Sequence, residues 1–371
     1  MTRKFIDGML EYMKYWPGSA TVMAEADDRP NNNLDNIEVR PSDLPFDIVT
    51  MDWSDPSIDN VLRTASIVSC SLDDWKQLHI PEICRRIGVP VVCVIEYTLR
   101  TRRQIIASGT SNPVLRLRRY LWASRMERRR RKAIRLAAGL QCNGTPAYHL
   151  YGKLNCNPML YFDNRSNQSM LASDATIANR TRHLIDGRPI RLAFSGRLAA
   201  MKGVNHLPRV ANELRQSGVP FSLEIFGDGP LKQTIQQELT AINLLQNVHL
   251  RGTLDFATEL IPTLTESVDL FVCCHPQGDP SCTYLETMAC GLPIVGYANE
   301  AFAGMVEMSG VGVASPINKP EFLARAIVDL NRGRPSLCQA SLQARDFASR
   351  HTFEQTFLAR VRHLISASDA H

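Results

Sequence analysis

Four short stretches of this chain combine glycine with charged or hydroxyl side chains where an apolar run gives way to a helix. The first is Ser195-Gly196-Arg197-Leu-Ala-Ala-Met-Lys202-Gly203, in which Arg197 can grip a phosphate as a planar fork and Lys202 can approach one as a point charge. The second, Phe226-Gly227-Asp228-Gly229-Pro230, permits close backbone approach, with Pro230 opening a helix. Arg251-Gly252 is the third. The fourth runs from Gly278-Asp279-Pro280-Ser281-Cys282-Thr283 to Glu286 and sets helix-start amides, which suit an anion, beside two carboxylates. Each has a plain structural reading when taken alone. The basic turn can be merely solvated, Asp279 can be an N-cap and Glu286 an exposed helix residue.

Around these stretches the hydrophobic pattern predicts strands at 190–195, 221–226, 247–250, 269–274, 293–297 and 311–314. They alternate with helices near 203–217, 230–242, 256–266, 282–290 and 320–331, the order of a doubly wound parallel sheet. All four stretches then fall on the carboxyl edge of that sheet, where open α/β sheets bind ligands. The first half predicts a helix at 4–15, apolar runs at 20–24 and 46–51, strands at 66–70, 89–95 and 159–162, and a basic region over 100–137 broken around Asn112-Pro113. Residues 163–188 are polar without strong period and read as a linker. The tail, 338–368, reads as helical with a stripe of Phe347, Phe353, Phe357, Val361 and Leu364.

The 371 residues suggest two domains, and a hydrophobic content of 44% with 21% charged residues excludes wholesale disorder. No apolar run is long enough to span a bilayer and the N-terminus has no signal-peptide pattern, so the cytoplasm is the expected compartment, including the inner face of a membrane. Ten cysteines without a C-x-x-C pair read as reduced core residues, and no metal ligand set is expected. The net charge of +5 is unevenly spread: residues 100–135 hold thirteen Arg or Lys and one acid, Glu127.

With these pieces assembled, the chain resembles the group 1 (family 4) retaining glycosyltransferases of GT-B architecture. The resemblance rests on Gly196-Arg197 through Lys202-Gly203, Gly227-Asp-Gly-Pro230 and, most specifically, Leu285-Glu286-Thr-Met-Ala-Cys-Gly-Leu-Pro-Ile-Val. It implies two Rossmann-like doubly wound domains facing a cleft. The implied bounds are an N-terminal acceptor domain at 1–165, a linker at 166–188, a nucleotide-sugar donor domain at 189–335, and C-terminal helices at 336–371 that can cross back to the first domain. Arg197 and Lys202 would hold the donor diphosphate, and Gly196, Gly229, Arg251 and Ser281 would belong to the same donor-binding site. The amides of Cys282 and Thr283 would take the distal phosphate, and Glu286 the ribose hydroxyls. The family keeps a second Glu where this chain has Gly278, so the neighbouring Asp279 is assigned the sugar-facing carboxylate.

His275 could contact donor or acceptor, or be a satisfied structural histidine. Glu96, where relatives place a His-Asp pair, is a candidate for acceptor contact or transition-state stabilisation. A plain ion pair with Arg100 or Arg102 competes with that role. The implied reaction is sugar transfer with retention from a nucleotide donor to a saccharide or lipid-linked acceptor, in polysaccharide biosynthesis, with no cofactor and no metal. An epimerase of the same architecture and a non-catalytic nucleotide-sugar-binding relative are the rivals. The Arg-rich stretch 116–135 reads as a solvated face or as a surface for anionic lipid, and nucleic acid is not expected as a partner. Family members open with a strand, whereas Arg3-Lys4-Phe5 already begins a helix. The first domain is therefore expected to lack its first strand, through an upstream start or decay.

Overall fold

The computed structural model describes residues 1–27 and 36–370. They form two compact units, the first comprising Met1–Ile106, Thr110–Tyr161 and Phe353–His371, the second Ala107–Gly109 and Phe162–Thr352.

In unit 1 the first element is a helix, Arg3–Tyr15, as its sequence predicts, with Thr2 accepting from the Phe5 amide at its start. Strands β1 (Thr21–Ala24) and β2 (Asp47–Thr50) pair in parallel as a separate two-stranded sheet. Strands β3 (Val68–Ser71), β4 (Val91–Ile95), β5 (Gly139–Asn143) and β6 (Pro158–Tyr161) make a parallel sheet in sequential order. The unbroken apolar run of β4 is buried almost throughout, and β5, Gly-Leu-Gln-Cys-Asn, is buried along its whole length, as central parallel strands are. The basic region forms two helices, Leu99–Gly109 and Pro113–Leu136. The second starts where Asn112 accepts from the Val114 and Leu115 amides and Pro113 takes the first turn.

The tail, read as helical, forms two helices that belong to different units. Arg334–Ser349 lies in unit 2, while Phe353–Asp369 lies in unit 1. There Arg360 donates to Gln141 Oε1 at 2.8 Å and covers the Tyr161 ring at 4.4 Å.

Unit 2 carries the clearer architecture. Strands β7 (Ile190–Ser195), β8 (Phe221–Phe226), β9 (Val248–Gly252), β10 (Leu270–Cys273), β11 (Ile294–Tyr297) and β12 (Val313–Ser315) are all parallel, in the order β12-β11-β10-β7-β8-β9. The chain winds outward from β7 to β9 and returns to β10 on the other side of β7. The topological switch, where the loops diverge and a ligand can enter, therefore lies between β7 and β10. Leu192, Phe194, Leu223, Ile225, Leu270 and Val272 build the core beneath it.

Two helices here differ from the sequence reading. The supposed linker contains Asp174–Ile185, capped by Ser173. Its buried Arg180 supplies all five guanidinium hydrogens to four carbonyls, those of Val268, Gly291, Thr265 and Cys290, and to Ser341 Oγ, at 2.6–2.9 Å. A side chain so engaged makes this segment part of the unit and holds the end of the helix that bears Glu286. Residues Glu300–Ser309 form a further helix, capped by Asn299 and ended by Gly310 in the left-handed region.

Candidate functional site

The carboxyl edge of unit 2 is built by loops stitched to one another. Leu198 N–H donates to Asp228 O at 2.9 Å, and Leu231 N–H returns to Leu198 O at 2.9 Å, tying the loop after β7 to the loop after β8. Gly227 has φ 123°, and a Cβ there would stand 2.1 Å from Gly196 O. Gly203 has φ 64°, and its Cβ would meet Cys274 O at 1.9 Å. Only glycine permits these approaches, so part of what looks like a phosphate-loop pattern serves loop-to-loop packing. Gly229 belongs to this seam, against the Leu198 backbone.

At the switch point Lys202 Nζ lies 3.3 Å from Asp279 Oδ2, each side chain 19% exposed. The loops after β7 and β10 thus place a cation and a carboxylate together. Arg197 is exposed on the same loop as Lys202. Ser281, Cys282 and Thr283 are half-buried ahead of the helix Thr283–Ala289, and Ser281 Oγ donates to Thr283 Oγ1 at 3.1 Å. Asp279 and Ser281 do not cap that helix through their side chains. Cys282 occupies the cap position without a side-chain bond.

Glu286 is buried on the same helix, and sequence reasoning missed the group that holds it. Arg165 forks onto its carboxylate, Nε to Oε1 at 2.8 Å and Nη2 to Oε2 at 3.3 Å. The same guanidinium covers the Phe256 ring at 3.8 Å from its centroid. Phe256 opens a π-helical turn, Phe256–Leu260, whose cap Asp255 accepts from the Ala257 and Thr258 amides. Nothing in the aperiodic run Asp163-Asn-Arg165-Ser-Asn marks Arg165, which stands 121 positions from its partner.

Two assignments are altered by the geometry. Arg251, expected at the donor, is taken up by Glu224 of the adjacent strand β8, so it forms an ion pair along the sheet edge. His275 is not a satisfied structural histidine: it is fully buried, and neither ring nitrogen has a hydrogen-bond partner among the described residues. Burial, and secondarily the Lys202 charge, push its imidazole well below the usual value, leaving it neutral. Glu96 sits in unit 1 just beyond β4, where its amide donates to Asp73 Oδ2 at 2.8 Å. Arg102, one of the two partners considered for it, pairs with Asp73.

Unit 1 has features of its own. A cavity of about 780 Å³ opens beyond the carboxyl ends of β1, β2 and β3, lined among others by Glu25, Asp52, Trp53, Trp75, Arg86 and Arg129. On the helix Pro113–Leu136, Ala123, Met126, Ala133 and Ile134 face the core, with Arg130 and Glu127 paired at 3.2 Å beside them. Val114, Leu117, Leu121 and Trp122 are exposed, between 48% and 68%, among the arginines. No helix among the described residues is long and apolar enough to cross a membrane, and they contain no cluster of three potential metal ligands.

The fold these units share is that of the GT-B glycosyltransferases, two α/β units of parallel, Rossmann-like sheet. Sucrose-phosphate synthase from Thermosynechococcus elongatus superposes with a TM-score of 0.64 at 14% identity, over 99% of this chain and 93% of that one. Residues 176–346, a little under half of the chain, match the family described as glycosyl transferases group 1. Alpha-D-kanosaminyltransferase of Streptomyces kanamyceticus is 28% identical over 148 residues, 40% of this chain and 38% of the relative. A GDP-mannose-dependent alpha-(1-6)-phosphatidylinositol monomannoside mannosyltransferase of Mycolicibacterium smegmatis is 30% identical over 129 residues, 33% of each. The chain therefore matches little more than a third of the length of these curated relatives.

Proposed function

We propose that this chain is a glycosyltransferase that moves a sugar, with retention, from a nucleotide-diphosphate donor held by unit 2 to a saccharide or lipid-linked acceptor in polysaccharide or glycan biosynthesis. The observation that carries the reading is the Lys202–Asp279 pair at the switch point between β7 and β10. Lys202 and Arg197 would meet the leaving diphosphate, whose charge grows as the glycosidic bond breaks, and fixed cations act most strongly where charge appears. Asp279 would face the sugar, and Glu286 would accept from the ribose hydroxyls. No metal or cofactor is part of this proposal. The named activities of the matched relatives, one of them dependent on GDP-mannose, support the class of donor.

For the acceptor, the unit 1 cavity offers aromatic faces and paired charges, the chemistry that grips a sugar ring and its hydroxyls. The exposed Leu and Trp side chains among arginines on Pro113–Leu136 support peripheral contact with an anionic membrane, at a cytoplasmic surface, as a lipid-linked acceptor would require. Glu96 is proposed as an acceptor-side group.

The test is incubation with labelled UDP-, GDP- and ADP-sugars and a panel of saccharide and lipid-linked acceptors, with the product's anomeric configuration read by NMR. Transfer with the donor's configuration kept, abolished by Lys202→Ala, is expected. A free epimerised sugar nucleotide would instead establish an epimerase, and binding without turnover a non-catalytic relative.

A further inference from the structure

Glu286 presents an electrostatic problem that its own helix does not solve. Its carboxylate is 9% exposed, and a charge so withdrawn from water needs a partner of good geometry. Arg165 provides one by a two-bond fork, reaching across from the segment that leads into unit 2. The fork is itself held flat, because the Phe256 ring lies 3.8 Å from the guanidinium carbon. Asp255 anchors the turn that carries Phe256. The chain Asp255 turn, Phe256, Arg165, Glu286 thus runs from the loop after β9 to the helix after β10, along the carboxyl edge of one sheet.

An ionised carboxylate has about four acceptor positions on its two oxygens, and a forked guanidinium uses two of them. The fork takes the inward-facing position of each oxygen and leaves one outward-facing position on each, diverging in the plane that Arg165 sets. A ribose hydroxyl is a donor that can reach either of them. We propose that Arg165, seated on Phe256, is a positioning residue that aims Glu286 at a ribose hydroxyl of the nucleotide donor. The inference rests on the donor-site reading above and adds to it the residues that determine recognition of the ribose.

The experiment compares, by calorimetry, whichever of UDP, GDP and ADP binds the full chain best with its 2′,3′-dideoxy counterpart. The wild type is expected to prefer the ribose form. In Arg165→Leu that preference falls by about tenfold or more, since bonds to a charged acceptor are lost. Arg165→Lys, which keeps the charge without the fork, falls part of the way and guards against misfolding of the first variant. Phe256→Leu shifts the preference in the same direction by less. Tighter binding of the ribose form by Arg165→Leu would overturn the inference, because Arg165 would then be obstructing Glu286. A lowered Tm with the preference unchanged would overturn it too, leaving a purely structural pair. Wild-type binding without any ribose preference removes this inference alone, whereas no binding of any nucleotide removes the donor-site reading with it.

Discussion

Lys202 and Asp279 stand 3.3 Å apart on two loops separated by 77 positions in sequence, joined because β7 and β10 are neighbours. Replacing Lys202 by Ala is expected to lower transfer by about 10²-fold or more, the scale of removing one preorganised charge from a transition state. Asp279→Asn is expected to lower turnover while leaving affinity for the free nucleoside diphosphate within about threefold, since the carboxylate is assigned to the sugar and not the phosphates. Initial rates and calorimetry on the two variants separate these effects. Equal loss of nucleotide affinity in both would count against the division of roles.

Glu286→Gln keeps the shape of the side chain and removes its charge. The Arg165 cation then faces a neutral amide, and donor affinity is expected to fall by about tenfold, read by calorimetry. Unchanged affinity would remove Glu286 from the donor site.

Arg180 is expected to dominate local stability. Arg180→Met leaves four carbonyls and the Ser341 hydroxyl without their donor in a buried place, at a cost of roughly 3 kcal/mol or more. Urea unfolding followed by circular dichroism measures it. A loss under about 1 kcal/mol would show that water replaces the guanidinium.

His351 packs against the Phe162 and Phe347 rings of unit 2, and burial, with Arg350 nearby, pushes its imidazole down to about 4. Between that value and the ordinary one near 6.5 the unfolded chain binds a proton that the folded chain refuses. Stability is therefore full above about pH 6.5 and falls as the pH drops toward 4. Urea midpoints across this range should decline for the wild type and decline less for His351→Gln. Parallel curves would exclude His351 as the cause.

The exposed face of Pro113–Leu136 predicts salt-sensitive binding to vesicles of phosphatidylcholine mixed with phosphatidylglycerol and weak binding to phosphatidylcholine alone. The double variant Leu117→Ser, Leu121→Ser is expected to weaken the anionic binding by about tenfold or more, because two exposed leucines lose their apolar partner phase. Co-sedimentation measures both. Equal binding of wild type and double variant would assign the helix to the solvated face.

What the sequence determined by itself is local or periodic. Unbroken apolar runs announce β10 and β11, and apolar residues at alternate positions announce β7 and β8, so all four stand within a residue or two of their predicted places. The break at Asn112-Pro113 was legible because a cap and a proline act on their own neighbours. The helix Glu300–Ser309 could have been read from Asn299 and Gly310, which carry the same kind of signal. Asp174–Ile185 was masked by a polar composition whose apolar face is narrow, and its central residue, Arg180, is a buried cation that no hydrophobic pattern reveals.

Tertiary structure decided the pairings. Arg165 and Glu286 meet over a separation of 121 positions, Arg251 turns to Glu224 on the neighbouring strand, and the tail divides between two units at Arg350–Thr352. Such choices depend on which loops the sheet order brings to one edge and on which charges must be neutralised once buried. Side-chain types state what chemistry a residue can do, but only the order β12-β11-β10-β7-β8-β9 determines which of them do it together.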